Sequence, residues 1–455
     1  MVVNTRGDKV DASPTKGFFV NMITRDITLE DTILDLIDNS IDAAWHNEGG
    51  QAMELADTVD LSAYRISISA SPERFSIRDN CGGMTLDDAV EHAFSFGRRG
   101  SQELEEYSIG VYGIGMKRAA FKLGTNIRVR STYTDSDGAR EAFAVPILVD
   151  EWMKNDNPPW DFDIDEDHEL DDDGVEIVVE SLREGTKAEF GNPAFIRNLR
   201  RMIARDYSLH LNRGLKIAVG GKAVEGLPIE LRQGGGFAPV RVEYKDQAGE
   251  DEVMVEIIGG MAAPPPESID PDDAKDGDRR FGWYVACNGR IVLAADKTTV
   301  SGWGTSDWPQ WHRQYSGFIG IVLFTAANAA DLPLTTTKRS VDASSGVYLR
   351  ARRRMRDISK EWIAYTNVRK QALAEAKRRE AVPEAVPIQH VKKRLSIALP
   401  KLVRVKTEPV ANVNYSVPVS KMKRLATELG NVNMTYRDVG LKSFDYTYDD
   451  HVGDG

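Results

Sequence analysis

The sequence predicts an α/β fold, an α+β sandwich followed by a second strand-rich domain and a basic helical region. Three observations carry this reading. From Gly17 to about Phe190, stretches with helical spacing of apolar residues alternate with stretches of two-residue alternation. Beyond Pro193–Leu211, read as a helix, comes a series of strands with hairpin signals at Gly220–Lys222 (GGK) and Cys287–Arg290 (CNGR). From about Tyr348 the pattern is that of one long helix, including Ala351–Glu380 and ended by Pro383 and Pro387. The expected division is a loose segment 1–16, a first domain 17–192, a second domain 193–345, and a basic helix with its tail, 346–455.

The elements follow in order. Thr28, with Asp31 three residues on, caps a helix whose apolar face is Leu29, Ile33, Leu36, Ile37, Ile41 and Ala44. Asp31, Asp35, Asn39 and Asp42 lie on the other side. Two readings of that side stay open: a solvated acidic face, or an amide oxygen beside carboxylates, which is a hard donor suited to Mg²⁺ accompanying nucleotide phosphates. Tyr64, Ile66 and Ile68 alternate like a strand and pair with Phe75 and Ile77 through a turn at Ser71 and Pro72. The second strand ends on Asp79, followed by Asn80, Cys81, Gly82 and Gly83. A carboxylate there can accept from an exocyclic amine such as that of adenine, or simply open a glycine turn.

A helix from Thr85 to Phe94 is followed by Phe96–Gly100 and a charged run, Gln102–Tyr107, expected to be mobile until a ligand orders it. Then comes SIGVYGIGMKRAAFKLG, Ser108–Gly124, in which Gly110, Gly113 and Gly115 run straight into a helix beginning near Met116. Backbone N–H groups freed by glycine, a helix N-terminus worth roughly half a positive charge, and Lys117 together suit an anion. Strands are expected at Ile127–Arg130, Glu141–Val149 and Val175–Val179, with an acidic insert, Asp156–Asp173, as a surface loop of no assigned function. A Pro- and Asp-rich break, Pro264–Arg279, reads as a linker or long loop, and Leu332–Asp342 (LPLTTTKRSVD) follows the second domain's strands.

The 455 residues, 41% of them hydrophobic, supply two or three ordinary cores. Two cysteines provide neither a disulfide framework nor a four-cysteine zinc site and speak for a reducing compartment. No signal-like or membrane-spanning run is present, so a cytoplasmic protein without a membrane partner is expected. Charge is segregated. Residues 339–424 hold 21 Lys and Arg against 7 Asp and Glu, a net +14 in a chain of −12. That leaves −26 for the remainder. Such a basic stretch, densest over 350–406, suits DNA phosphates, or else a solvated helix packed on a dimer mate. The tail from Val417 shows a short helical stretch and an aromatic, acidic end, FDYTYDDH, a candidate docking peptide for a protein partner.

Taken together the motifs resemble the GHKL (Bergerat-fold) ATPases, a superfamily that includes gyrase, the ninety-kilodalton heat-shock chaperone, histidine kinases, MutL and MORC proteins. The helix motif is matched by DLIDNSIDA, Asp35–Ala43, and the Asp-x-Gly-x-Gly motif by Asp79–Gly83. The phosphate lid is matched by Gly110, Gly113 and Gly115, and the Gly-Thr motif by EGTKAEF, Glu184–Phe190. The lid wording looks most like the MORC branch, and WYVACNGRIV resembles the second, S5-like transducer domain of the MutL and MORC groups.

The resemblance implies an ATP- and Mg²⁺-dependent ATPase that dimerises on nucleotide. Asp35 would orient water and Lys338 would reach the γ-phosphate. Asn39 would hold Mg²⁺, and Asp79 would accept from adenine with support from Thr186. Gly110, Val111, Tyr112, Gly113, Ile114, Gly115, Met116 and Lys117 would wrap the phosphates, with Ala43, Gly83 and Met84 lining the pocket. Asp35 departs from the family's usual Glu. The side chain is one methylene shorter, and a displacement of about an ångström can cost about a hundredfold in rate, so slow turnover is expected. Three purposes stay open: MORC-like DNA handling, a chaperone-like protein clamp, or a nucleotide-locked scaffold with little turnover.

Overall fold

The computed structural model describes residues 14–55, 59–95, 106–110, 115–154, 160–268, 276–305, 308–335, 338–403, 411 and 413–453. They fall in two compact units, 1–403 and 404–455.

Within the first unit an eight-stranded sheet comprises β1 (Arg65–Ala70), β2 (Phe75–Asp79), β3 (Gly124–Thr134), β4 (Arg140–Leu148), β5 (Asp165–Glu166), β6 (Gly174–Leu182), β7 (Lys216–Val219) and β8 (Lys222–Val224). Its order is β5-β4-β3-β6-β2-β1-β7-β8. Only β1 and β7 run parallel; the other neighbours are antiparallel. Alternation decides the faces. Ile66, Ile68, Phe75, Ile77, Ile127 and Val129 point into a core shared with helices Lys16–Arg25, Leu29–Asn47, Gly115–Leu123 and Pro193–Asp206. The alternate positions carry Arg65, Arg78, Arg128 and Arg130 on the outer face.

That outer face is covered by the acidic insert. Asp167 takes Arg128 and Arg130 at 3.1 and 2.7 Å, Asp171 takes Arg78 at 2.9 Å, and Asp172 takes Arg65. Arg140 is held by Asp173 and Glu169 at 2.7 and 2.9 Å. The loop expected to be an idle surface insert is therefore an ionic strap laid across the sheet, with β5 paired to β4.

The boundary expected at residue 192 falls inside this architecture. The helix Pro193–Asp206, capped by Asn192, packs in the first core, and β7–β8, joined through Gly220 and Gly221 at positive φ, extend the first sheet as far as Val224. Parallel pairing of β7 to β1 is a long-range contact that local pattern does not encode.

A second sheet holds β10 (Val240–Ala248), β11 (Asp251–Met261), β12 (Gly282–Cys287), β13 (Arg290–Asp296) and β14 (Phe318–Ala326), ordered β10-β11-β14-β12-β13. The CNGR signal is its β12–β13 hairpin, with Asn288 and Gly289 at φ 42° and 81°. The basic helix is part of this domain's core. Gly346–Arg369 buries Tyr348, Ala351, Met355, Trp362 and Tyr365 against Val255, Ile257, Phe318 and Phe324. Trp283 and Trp362 spend their indole N–H groups on Ser359 Oγ and the Tyr315 carbonyl, at 3.0 and 2.9 Å.

The single helix expected to run through Glu380 is broken. It ends at Arg369, and a second piece, Leu373–Glu380, turns back so that Glu380 pairs with Arg369 at 2.7 Å, both buried. The chain then adds β15 (Glu384–Pro387) to β9 (Glu230–Gln233). Among its described residues the second unit holds two helices, Val419–Glu428 and Tyr436–His451, the latter capped by Thr435 accepting from Asp438 N. The aromatic, acidic end is thus helical. Among the described residues no helix is long and apolar enough to cross a membrane.

Candidate nucleotide site

The site grows from the Leu29–Asn47 helix, whose N-cap Thr28 accepts from Asp31 N as expected. Asp31, Asp35, Asp38 and Asp42 recur at intervals of four, three and four, so they form one stripe. The stripe is not solvated. Asp31, Asp35 and Asp38 are buried, and each meets a cation brought from elsewhere in the chain. Arg339 pairs with Asp31, and Arg118 of the Gly115–Leu123 helix pairs with Asp35. Asp38 receives Arg290 from the β12–β13 hairpin, Lys338 Nζ at 2.9 Å, and the hydroxyl of Tyr207 at 2.7 Å. Lys338 Nζ also lies 3.8 Å from Asp35 Oδ1.

Burial raises the cost of ionising Asp38, but Arg290 and Lys338 outweigh it and hold that carboxyl below the usual range. Asp42 goes the other way. Burial, reinforced by Asp38, raises it to about 7 against the N–H groups of Ile109 and Gly110, which donate to it at 2.7 and 2.9 Å. The base of the lid is therefore tied to the helix by Asp42. From the other side Asn288 Nδ2 donates to the Ser108 carbonyl at 2.8 Å, and Tyr107 N to the Ala327 carbonyl at 2.9 Å.

Asn39, four residues from Asp35, is exposed while its neighbours are buried, so its amide faces open space. Ala43 is half-buried on the next turn. Asp79 is buried at the end of β2. Its Oδ2 accepts from Ser40 at 2.6 Å and its Oδ1 from Cys81 N and Val175 N at 3.0 and 3.2 Å. Three of about four acceptor positions are filled, leaving one. Burial raises its pKa against those three donors. Burial likewise pushes the Cys81 thiol up, in keeping with a small buried thiol. Met84 is fixed through its own backbone, N and O both bonded to Ser131 Oγ.

Several expected site residues sit elsewhere. Lys117, expected on the phosphates, is buried and donates to the Ala93 and Ser95 carbonyls at 2.6 and 2.5 Å. Its stem lies on the inner side of the helix, and burial lowers its pKa to about 8. Gly83, expected to make room for the base, is crowded by β3, where a Cβ would come within 2.1 Å of the Thr132 carbonyl. Thr186 lies in a helix, Glu184–Phe190, and not before a strand. It follows the far end of β6, roughly 25 Å along the strand from Asp79's neighbour Gly174. Gly110, Gly115 and half-buried Met116 lie along the lid, with Gly115 against Asp35. Val111, Tyr112, Gly113 and Ile114 lie outside the described residues.

The sequence reading missed four partners: Gly174–Val175, Arg118, Arg290 and Asp38. A Cβ on Gly174 would lie 2.1 Å from the Asp79 carbonyl, so only glycine lets β6 begin beside the acid. A glycine opening the apolar run VEIVV was the available signal. Arg118 follows Lys117 in the lid helix, and one residue's rotation separates a buried lysine from an arginine aimed at Asp35. Arg290 and Asp38 carry no local signal, because their pairing joins residues 252 apart.

Residues 27–162 match the family model described as Histidine kinase-, DNA gyrase B-, and HSP90-like ATPase. The span opens at the cap of the Asp35 helix and includes β2, Asp79 and the lid. This supports the GHKL superfamily, a class of ATP-binding ATPases, for this part of the chain. No curated protein matches the sequence.

Proposed function

We propose that the chain is an ATP-binding, slowly hydrolysing switch of the GHKL class, MORC-like in its lid, that closes as a dimer on nucleotide. What supports this is the convergence on one helix of a lid, a strand-end acid and a lysine from the chain after the second sheet. Lys338 is 7% exposed and sits at φ 54°, an unfavourable backbone for a lysine, of the kind that clusters at functional sites.

The residues suit ATP and Mg²⁺. Asp79 keeps one acceptor for an exocyclic amine, and exposed Asn39 offers a hard oxygen. Among the described residues no group of three or more His, Cys, Asp or Glu side chains is placed to hold a metal, so a cation at Asn39 would draw its other ligands from phosphate and water. Mg²⁺ there would neutralise phosphate charge. Asp35 would orient the attacking water, Lys338 would sense the terminal phosphate, and the lid glycines would close on the chain of phosphates.

Calorimetry tests the reading. ATP with magnesium should bind, Asn39→Ala should weaken ATP at least tenfold with magnesium and far less with chelator, and Lys338→Ala should weaken ATP more than ADP. A wild-type chain that binds neither nucleotide overturns it.

For purpose we favour DNA handling. Arg353, Lys360, Lys370, Arg378, Lys392 and Lys401 are exposed and form no ion pair among the described residues. A protein clamp is the second reading, favoured by the burial of the Gly346–Arg369 helix in its own domain's core. In either case the helical C-terminal pair is a candidate protein-docking element.

A further inference from the structure

The carboxylate expected to orient water is already occupied. Asp35 is 3% exposed, its Oδ2 is taken by Arg118, and its Oδ1 faces Lys338 Nζ at 3.8 Å. The first turn of the lid helix touches the same group, a Cβ on Gly115 lying 3.7 Å from Asp35 Cβ. A helix N-terminus, a guanidinium and an ammonium thus converge on one carboxylate, an arrangement that would equally suit a phosphate. The fit is imperfect for Asp35. Arg118 Nε is buried without a hydrogen-bond partner, so one donor of the fork is left over. Lys338 holds its position from a left-handed backbone and divides its charge between Asp35 and Asp38.

We infer that Arg118 and Lys338 lock Asp35, and that a nucleoside triphosphate opens the lock by drawing both cations onto its terminal phosphate. The inference rests on the nucleotide reading above and adds a residue to it. Buried between the guanidinium and the ammonium, the Asp35 carboxylate faces these cations in place of a water, and it turns to one when a γ-phosphate draws them away. Arg118, four positions into the sequence of the lid helix, reports that event to the lid, because the side chain that changes partner belongs to the element that closes. A diphosphate lacks the competing group and leaves the lock shut.

The test compares a non-hydrolysable ATP analogue with ADP by calorimetry on the full chain. Asp35→Asn removes the competing charge, so the analogue should bind about tenfold more tightly while ADP changes less than about twofold. Arg118→Ala should weaken the analogue about tenfold and spare ADP. The two changes should not add in the double variant, where little of the Asp35→Asn gain remains. Thermal melts confirm that each variant folds, and Arg118→Gln replaces Arg118→Ala if the latter does not. Equal shifts for analogue and ADP, or an unchanged ratio in Asp35→Asn, overturn the lock. Absence of binding to the wild type overturns the nucleotide reading instead.

Discussion

Asp42 shows how one side chain can serve fold and lid together. It accepts the Ile109 and Gly110 N–H groups at the base of the lid, while Asp38 on the same helix face and Lys338 from the chain after the second sheet act on its charge. Burial puts its folded pKa near 7, above the ordinary carboxylate range, so the native state binds more protons than the unfolded chain between about pH 4 and pH 7. Its contribution to stability is therefore fully retained below that window and lost as pH rises through it. Asp42→Asn removes the titration. Measured by denaturant unfolding, the variant should gain stability relative to the wild type between pH 5 and pH 7.5, and a flat difference would rule Asp42 out as the source. Residues of this kind were half legible in the sequence. Asp35, Asn39 and Asp79 stood out by type and spacing. Arg118 and Arg290 did not, because they reach the stripe only after the chain has folded, and Lys338 stood out without its carboxylate partners.

At the scale of elements, local pattern served well where an element's own periodicity decides it. The Asp35 helix, the β1–β2 hairpin, β3, β4, β6 and the lid helix lie where apolar spacing and turn residues put them. It failed where a distant contact decides. The Glu184–Phe190 segment looked like a glycine-led strand and is a helix, while the glycine that matters opens β6. The basic helix illustrates the same division. Its charges were legible, but its buried stripe of Tyr348, Met355 and Trp362 could equally have met a dimer mate, and it meets its own sheet. Two sets of variants should therefore part company. Trp362→Ala leaves a cavity in the second core and should cost roughly 3–5 kcal/mol of stability. Reversing Arg353, Lys360 and Arg378 to Glu should leave the melting temperature unchanged while lowering retention of DNA with a non-hydrolysable ATP analogue, and retention should fall steeply with salt. Salt-insensitive or absent retention in the wild type would favour the protein clamp.

Among the described residues of 1–403, ion pairs at the acidic stripe join the two sheets' domains. The first sheet's helix supplies the carboxylates, and the second sheet's hairpin and following loop supply Arg290, Lys338 and Arg339. Asn288 and Ala327 meanwhile hold the base of the lid. Any displacement of one domain against the other must exchange these partners, and breaking a buried pair leaves an uncompensated charge, so intermediate positions are penalised. Two discrete arrangements follow more naturally than a continuum, which is the behaviour a nucleotide-driven closure needs.

The carboxylates laid over Arg65, Arg78, Arg128, Arg130 and Arg140 carry a physiological corollary. Their last member, Asp173, accepts Gly82 N through its carbonyl at 3.2 Å and leads directly into Gly174 and Val175 against Asp79. Exposed ion pairs weaken as counterions screen them, whereas the apolar interior does not. Raising potassium chloride from 0.05 to about 0.5 M should loosen adenine nucleotide affinity well before it lowers the melting temperature, and hydrogen exchange should report the change first at residues 165–175. The ionic composition of the surroundings would then act as a dial on this site's grip.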